Sequence, residues 1–203
     1  MERNIRRAGL AIALGCLANT VAWAHGGSTT AAAAEGLTWA HSLLLGMQHP
    51  WSGLDHLLAL LCMGLWSARG RHRVWVLPLA AANVMLLGAL LGMAGIAPPV
   101  LEPLLAISLV VMGGLLASQT AVAYRLAGAM VLGFALLHGM AHGQEFGAKA
   151  SLALPLGMLL SSLVIMAAGV MGAMALRARH PRWQRLGAGG VALVGGALLT
   201  QVL

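Results

Sequence analysis

Residues 122–145 read VAYRLAGAMVLGFALLHGMAHGQE. From Val122 to Met140 the stretch is almost wholly apolar, and about 20 such residues suffice for a helix to cross the hydrocarbon core of a bilayer. Its end is different in kind. His138, His142 and Glu145 follow one another at i, i+4 and i+7, which puts all three on one face if the helix continues to Glu145. Ionisable groups in a membrane helix are functional candidates, because each charge near the bilayer centre costs about 2.5–3.5 kcal/mol or more.

Five further apolar stretches flank this one. Trp51–Ala68, Val74–Gly95 and Pro99–Ser118 precede it, and Leu152–Leu176 and Leu186–Leu203 follow. The pattern predicts an all-α chain, a polytopic membrane helix bundle of about six transmembrane helices, with short connections between antiparallel neighbours. Composition agrees: 60% of the 203 residues are hydrophobic and 8% charged, against about a quarter charged in a soluble domain. Leu37–Met47 is apolar but too short to cross, and Pro50 follows it. It reads as a periplasmic helix or as the upper part of a long first helix kinked at proline.

The formal net charge is +7 and the pI about 11.4. The basic residues lie in short clusters between spans, Arg69, Arg71 and Arg73, then Arg177, Arg179, Arg182 and Arg185. Such placement sets membrane orientation and argues against a nucleic-acid partner. With the N-terminus outside, those seven and Arg125 fall in cytoplasmic loops and Lys149 alone in an outer one, a clear positive-inside bias. The pairs Gly113-Gly114, Gly189-Gly190 and Gly195-Gly196 let helix backbones approach closely. Packing within one bundle is favoured over a homo-oligomer.

Residues 1–24 read as a secretory signal: Arg3, Arg6 and Arg7 are the basic region, Ala8–Val21 the apolar core and Ala22-Trp23-Ala24 the cleavage site. The alternative is an uncleaved first helix. Cleavage leaves a single transmembrane domain, 25–203, beginning at His25 in the periplasm of a bacterium, with the domain in the inner membrane. Cys16 departs with the signal and Cys62 remains alone, so no internal disulfide can form.

That mature chain has four acidic residues, Glu35, Asp55, Glu102 and Glu145, and three lie within or at the edge of apolar spans. Histidines accompany them. His49-Pro50-Trp51-Ser52-Gly53-Leu54-Asp55-His56 is the counterpart of the run from His138 to Glu145. At about 1.5 Å per residue, His56 stands roughly 20 Å above Arg69, and His138 roughly 20 Å above Arg125. Glu102 opens the third span, and His49, His142 and Glu145 are higher still. Three separate segments thus raise their polar groups to the same outer half of the membrane.

Imidazole with carboxylate suits divalent nickel, cobalt, zinc or iron. The expected metal site is His49, Asp55, His56, Glu102, His138, His142 and Glu145, enough for one six-coordinate site with supporting partners or for two adjacent sites. His72 and His180 lie among loop arginines and read as solvated, while His25 and His41 could help collect metal outside. The twelve methionines read as packing residues and not as a thioether path. Two alternatives stay open on the residues alone: a cytochrome with haem held by His56 and His138, and an intramembrane zinc hydrolase.

The two runs resemble the HupE/UreJ family of nickel and cobalt permeases. His49, Asp55 and His56 match the family's His-x5-Asp-His, and His138 to Glu145 match its Phe-His-Gly-x-Ala/Val-His-Gly-x-Glu, with Leu137 in place of Phe. Glu102 matches an acidic residue at the start of the third helix. The resemblance covers nearly the whole chain. It implies a secondary permease, not an enzyme, that takes up a divalent metal as its substrate, nickel foremost and cobalt or zinc otherwise, for hydrogenase or urease maturation. No G-x4-G-K-[ST] run occurs, so no ATP is expected to be used. The expected path runs from His49, His142, Glu102 and Glu145 to Asp55, His56 and His138.

Overall fold

The computed structural model describes residues 37–70, 73–118, 124–179 and 181–202. The signal segment, His25, Glu35, His72 and His180 lie outside the described residues. Seven helices are present among those described: α1 Trp39–Ser52, α2 Leu54–Ser67, α3 Val76–Met93, α4 Leu101–Ser118, α5 Tyr124–Phe146, α6 Ala153–Arg179 and α7 Pro181–Val202. The described residues are all-helical apart from their connections, as expected. Three helices are long and apolar enough to cross a membrane by length and composition: α3, α5 and residues 153–175 of α6. Helices α2, α4 and α7 supply shorter apolar stretches.

The expected first span, Trp51–Ala68, is divided. Pro50 lies inside α1, and the break falls at Gly53, which caps both helices in an extended conformation, φ −105° and ψ 120°. Proline lacks an N–H and so denies the Gly46 carbonyl its helical donor, but the helix tolerates this within its last turn. The Ser52 hydroxyl donates to the His49 carbonyl at 2.7 Å within this last turn. Helix α2 begins afresh with Leu57 N–H bonded to the Gly53 carbonyl at 3.0 Å. His49 therefore stands on one helix, with Asp55 and His56 in the first turn of another.

Helix α5 runs past the expected Met140 to Phe146 and ends at Gly147, φ +78°. Gly147 donates to the Gly143 carbonyl at 3.0 Å, and a left-handed glycine is the usual stop at this place. Helix α3 ends likewise. Gly95, φ +77°, donates to Gly92 at 2.9 Å and Ile96 donates to Leu91 at 2.9 Å, the paired bonds of a Schellman cap.

Helix α5 is set against α3 with almost no space between backbones. A Cβ on Gly139 or Gly143 would strike the carbonyls of Met85 and Ala89, and a Cβ on Gly88 or Gly92 those of Leu136 and Met140. Gly46 and Gly157 make the same close approach between α1 and α6, as do Gly64 and Gly169 between α2 and α6. Helices α4 and α7 form a further pair: a Cβ on Gly113 would lie 2.6 Å from the Ala192 nitrogen, and one on Gly195 2.7 Å from Leu109 Cβ. Small residues matter here because helices in lipid are held by van der Waals contact, which needs short distances.

The core between these pairs includes Leu60, Met63, Met85, Leu109, Met112, Met158, Ile165 and Met166, all at most 1% exposed. These methionines are packing residues, as their scatter in the sequence suggests. At the end away from the histidines, the Trp66 indole donates to the Met112 carbonyl at 3.4 Å and the Arg69 guanidinium sits 4.3 Å over its ring.

Candidate metal site between the helices

The site begins with the backbone of α5. Gly139 and Gly143 seat one face of the helix on α3, and His138 and His142, each one residue earlier, turn about 100° away from that seam. Both are buried, at 2% and 1% exposure. They point toward α1 and α2. Glu145 continues the same face, half-buried.

Helix α1 brings His49 to this face. Its Nε2 lies 2.8 Å from Glu145 Oε2, and its ring meets that of His142 edge-on at 4.7 Å between centroids. Phe146 closes the group, 5.0 Å from His49 and 6.2 Å from His142. From α2, His56 lies 4.2 Å from the His142 ring and 5.5 Å from the His138 ring. Asp55 holds His56 through a 3.1 Å contact between Oδ1 and Nδ1. Four imidazoles thus form an unbroken row, His49, His142, His56 and His138, with Glu145 paired to the first ring and Asp55 to the third.

Proton placement follows from the partners. His138 Nδ1 lies 3.0 Å from the Phe134 carbonyl. A carbonyl only accepts, so Nδ1 carries the hydrogen and Nε2 keeps a lone pair. His56 Nε2 and His142 Nδ1 are buried and have no hydrogen-bond partner. Buried polar atoms are nearly always satisfied, so two orphaned nitrogens on touching rings suit a ligand that enters the row.

Ligand atoms of His49, His142 and Glu145 all lie within 4.8 Å of one another. A divalent ion bound at about 2.0–2.2 Å from each ligand reaches roughly 4 Å from side to side. These three could close on one ion with small side-chain movements. Asp55, His56 and His138 make a second grouping directly beneath, with His142 touching both.

Six of the seven expected residues therefore converge. Glu102 does not join the row. It lies exposed in the first turn of α4, on the wall of a cavity of about 360 Å³ that also takes in Asp55, His56, His138 and Glu145. His41 stands apart, its Nδ1 3.0 Å from the Thr38 hydroxyl at the start of α1. The sequence reading missed Gln144 and Gln201, both on the cavity wall. Gln144 lies inside the run already singled out, and Gln201 is a polar residue ending an apolar stretch, so both carried a signal.

Residues 12–199 match the protein family described as HupE / UreJ protein. The chain belongs to that family. Protein HupE of Rhizobium leguminosarum bv. viciae is 36% identical over 163 residues, covering 79% of this chain and 85% of the relative. No solved structure matches the chain. HupE/UreJ proteins are membrane transporters associated with nickel and cobalt, and membership gives this chain, in broad terms, a role in metal uptake.

Proposed function

We propose that this HupE/UreJ protein is a secondary permease that carries a divalent ion, nickel foremost and cobalt as its competitor, inward across the bacterial inner membrane. The ion would serve the maturation of a metalloenzyme such as a hydrogenase or urease. The observation that supports this most is the approach of His49, His142 and Glu145 ligand atoms to within 4.8 Å, from two helices of a bundle too apolar for chance polar contacts.

Six spans after a cleaved signal peptide put the mature N-terminus and the Glu145 end of the row in the periplasm, on the distribution of arginines. The ion is taken first by His49, His142 and Glu145, with Glu102 drawing it in from across the cavity. It then passes to Asp55, His56 and His138. His142 is the shared ligand, since its ring touches both His49 and His56. A membrane potential of about 100 mV, negative inside, favours the inward passage of two charges by about 4.6 kcal/mol. No nucleotide is needed. Membership of a transporter family favours this reading over a haem protein or a zinc hydrolase.

Radioactive nickel uptake into cells tests it, comparing wild type with Asp55→Ala and His142→Ala at matched protein levels. Both variants are expected to fall to background. Wild-type uptake by both would refute the route.

A further inference from the structure

The 360 Å³ cavity beside the histidine row has walls of two kinds. Helices α2 and α5 line it with Asp55, Gln144 and Glu145, and Glu102 and Gln201 add polar groups from the start of α4 and the last turn of α7. The remaining lining includes the apolar side chains of Leu105, Leu109 and Leu198. Helices α4 and α7 are locked to each other by their glycines, so this wall is presented as a unit.

We propose that this cavity receives the ion with its water shell still attached, and that Gln144 and Gln201 are positioning residues that hold the shell through hydrogen bonds. The proposal rests on the metal-uptake reading above and adds to it a binding step in which the ion keeps its water beside His56 and His138, which also line the cavity, before any histidine nitrogen replaces that water. Size is the first reason. A divalent ion with six waters occupies roughly 180 Å³ at about 30 Å³ per water, which the cavity holds with room to turn. A bare ion would be lost in such a space and fits the closely set His49, His142 and Glu145 instead.

Donor chemistry is the second reason. Water bound to a divalent cation is a strong donor and needs acceptors around it, which the Asp55, Glu102 and Glu145 carboxylates and the two glutamine carbonyls provide. The glutamines add acceptors without adding charge, so they hold the shell without trapping the ion. Removing the water of a cation before replacement ligands are in reach is very costly. Glu145 answers that difficulty by position, because it lines the cavity and also reaches His49 at 2.8 Å. Water can therefore be exchanged for protein ligands one at a time at that carboxylate.

The test uses the full chain with nickel ion as probe, in Gln144→Leu, Gln201→Leu, the double variant, and the double asparagine variant that keeps a carbonyl. Both glutamines are exposed, so the substitutions leave the core intact. The double leucine variant is expected to raise the KM of cellular uptake about tenfold, with little change in maximal rate, as lost water-mediated bonds predict. Its equilibrium nickel affinity, measured on purified protein, should stay within about twofold of wild type, and the asparagine pair should recover much of the KM. An unchanged KM in the double leucine variant overturns the proposal. So does a large loss of equilibrium affinity, which would make the carboxamides direct ligands. His142→Ala separates the two readings: if that purified variant binds nickel like wild type, the histidine site itself is wrong, whatever the glutamines do.

Discussion

The rings of His142 and His56 lie 4.2 Å apart, tilted by 40°, although they belong to α5 and α2 and stand 86 positions apart in the chain. Each turns an unpartnered nitrogen into buried space. This contact joins the two halves of the histidine row, and most of what can be tested depends on it.

Replacing His142 by alanine removes the middle of the row while leaving Asp55–His56 and His49–Glu145 paired. Nickel affinity of the purified protein should fall by at least about a hundredfold, which corresponds to roughly 2.8 kcal/mol. Isothermal titration of nickel into the variant measures it directly.

Gly53→Ala is a finer probe. The new Cβ would lie 2.9 Å from Asp55 Oδ1 and 3.0 Å from His56 Nδ1, tighter than ordinary contact, while the local φ of −105° suits alanine. The Asp55–His56 pair must shift and the fold need not. Uptake is expected to drop about three- to tenfold, with thermal stability changed by less than about 1 kcal/mol. A variant that melts early but transports normally would contradict this.

Acid should weaken binding. An imidazole of ordinary pKa, about 6.5, is mostly neutral at pH 7.5 and mostly protonated at pH 5.5, and a protonated nitrogen cannot ligate. Nickel titrations at the two pH values read the slope, and tighter binding at pH 5.5 than at pH 7.5 would rule out histidine ligation.

Gly143→Val should break the seam between α3 and α5, because its side chain would be driven into the Ala89 carbonyl and to within 2.7 Å of the Met93 nitrogen. Overpacking of this sort costs about 1–3 kcal/mol or more, and nickel binding should fall with it. Gly133→Ala in the same helix, where a Cβ meets nothing within 4 Å, is the neutral control. Melting curves of the two detergent-solubilised variants make the comparison.

Trp66→Phe removes the indole donor to Met112 far from the histidines. The loss should be about 1 kcal/mol, or roughly 2–4 °C in melting temperature for a chain of this size, with nickel affinity unchanged. A change in affinity would show that this end of the bundle is coupled to the site.

Much of this arrangement was legible in the residues because lipid makes polar groups conspicuous. His138, His142 and Glu145 fell on one face at helical spacing, and α5 does continue to carry them. The helices appeared near their expected places for the same reason. What spacing could not supply was the join between α1 and α2. Proline marks a weak point in a helix but does not say where the chain yields, and here it yields three residues later, at Gly53. Glu102 was read correctly as standing at the start of its helix. Its distance from the histidine row depends on how the α4–α7 pair is placed, and pairing between distant helices leaves no local trace. Gln144 and Gln201 were passed over because uncharged amides attract little notice beside histidine and glutamate.

The reciprocal glycines at positions 88, 92, 139 and 143 leave α5 no freedom to slide or roll on α3, since each backbone blocks the other at two levels. Those two helices must travel as one piece, and His138 and His142 ride on a fixed mast. On the permease reading proposed above, a helix that swings to let cargo off on the far side is to be sought among their neighbours.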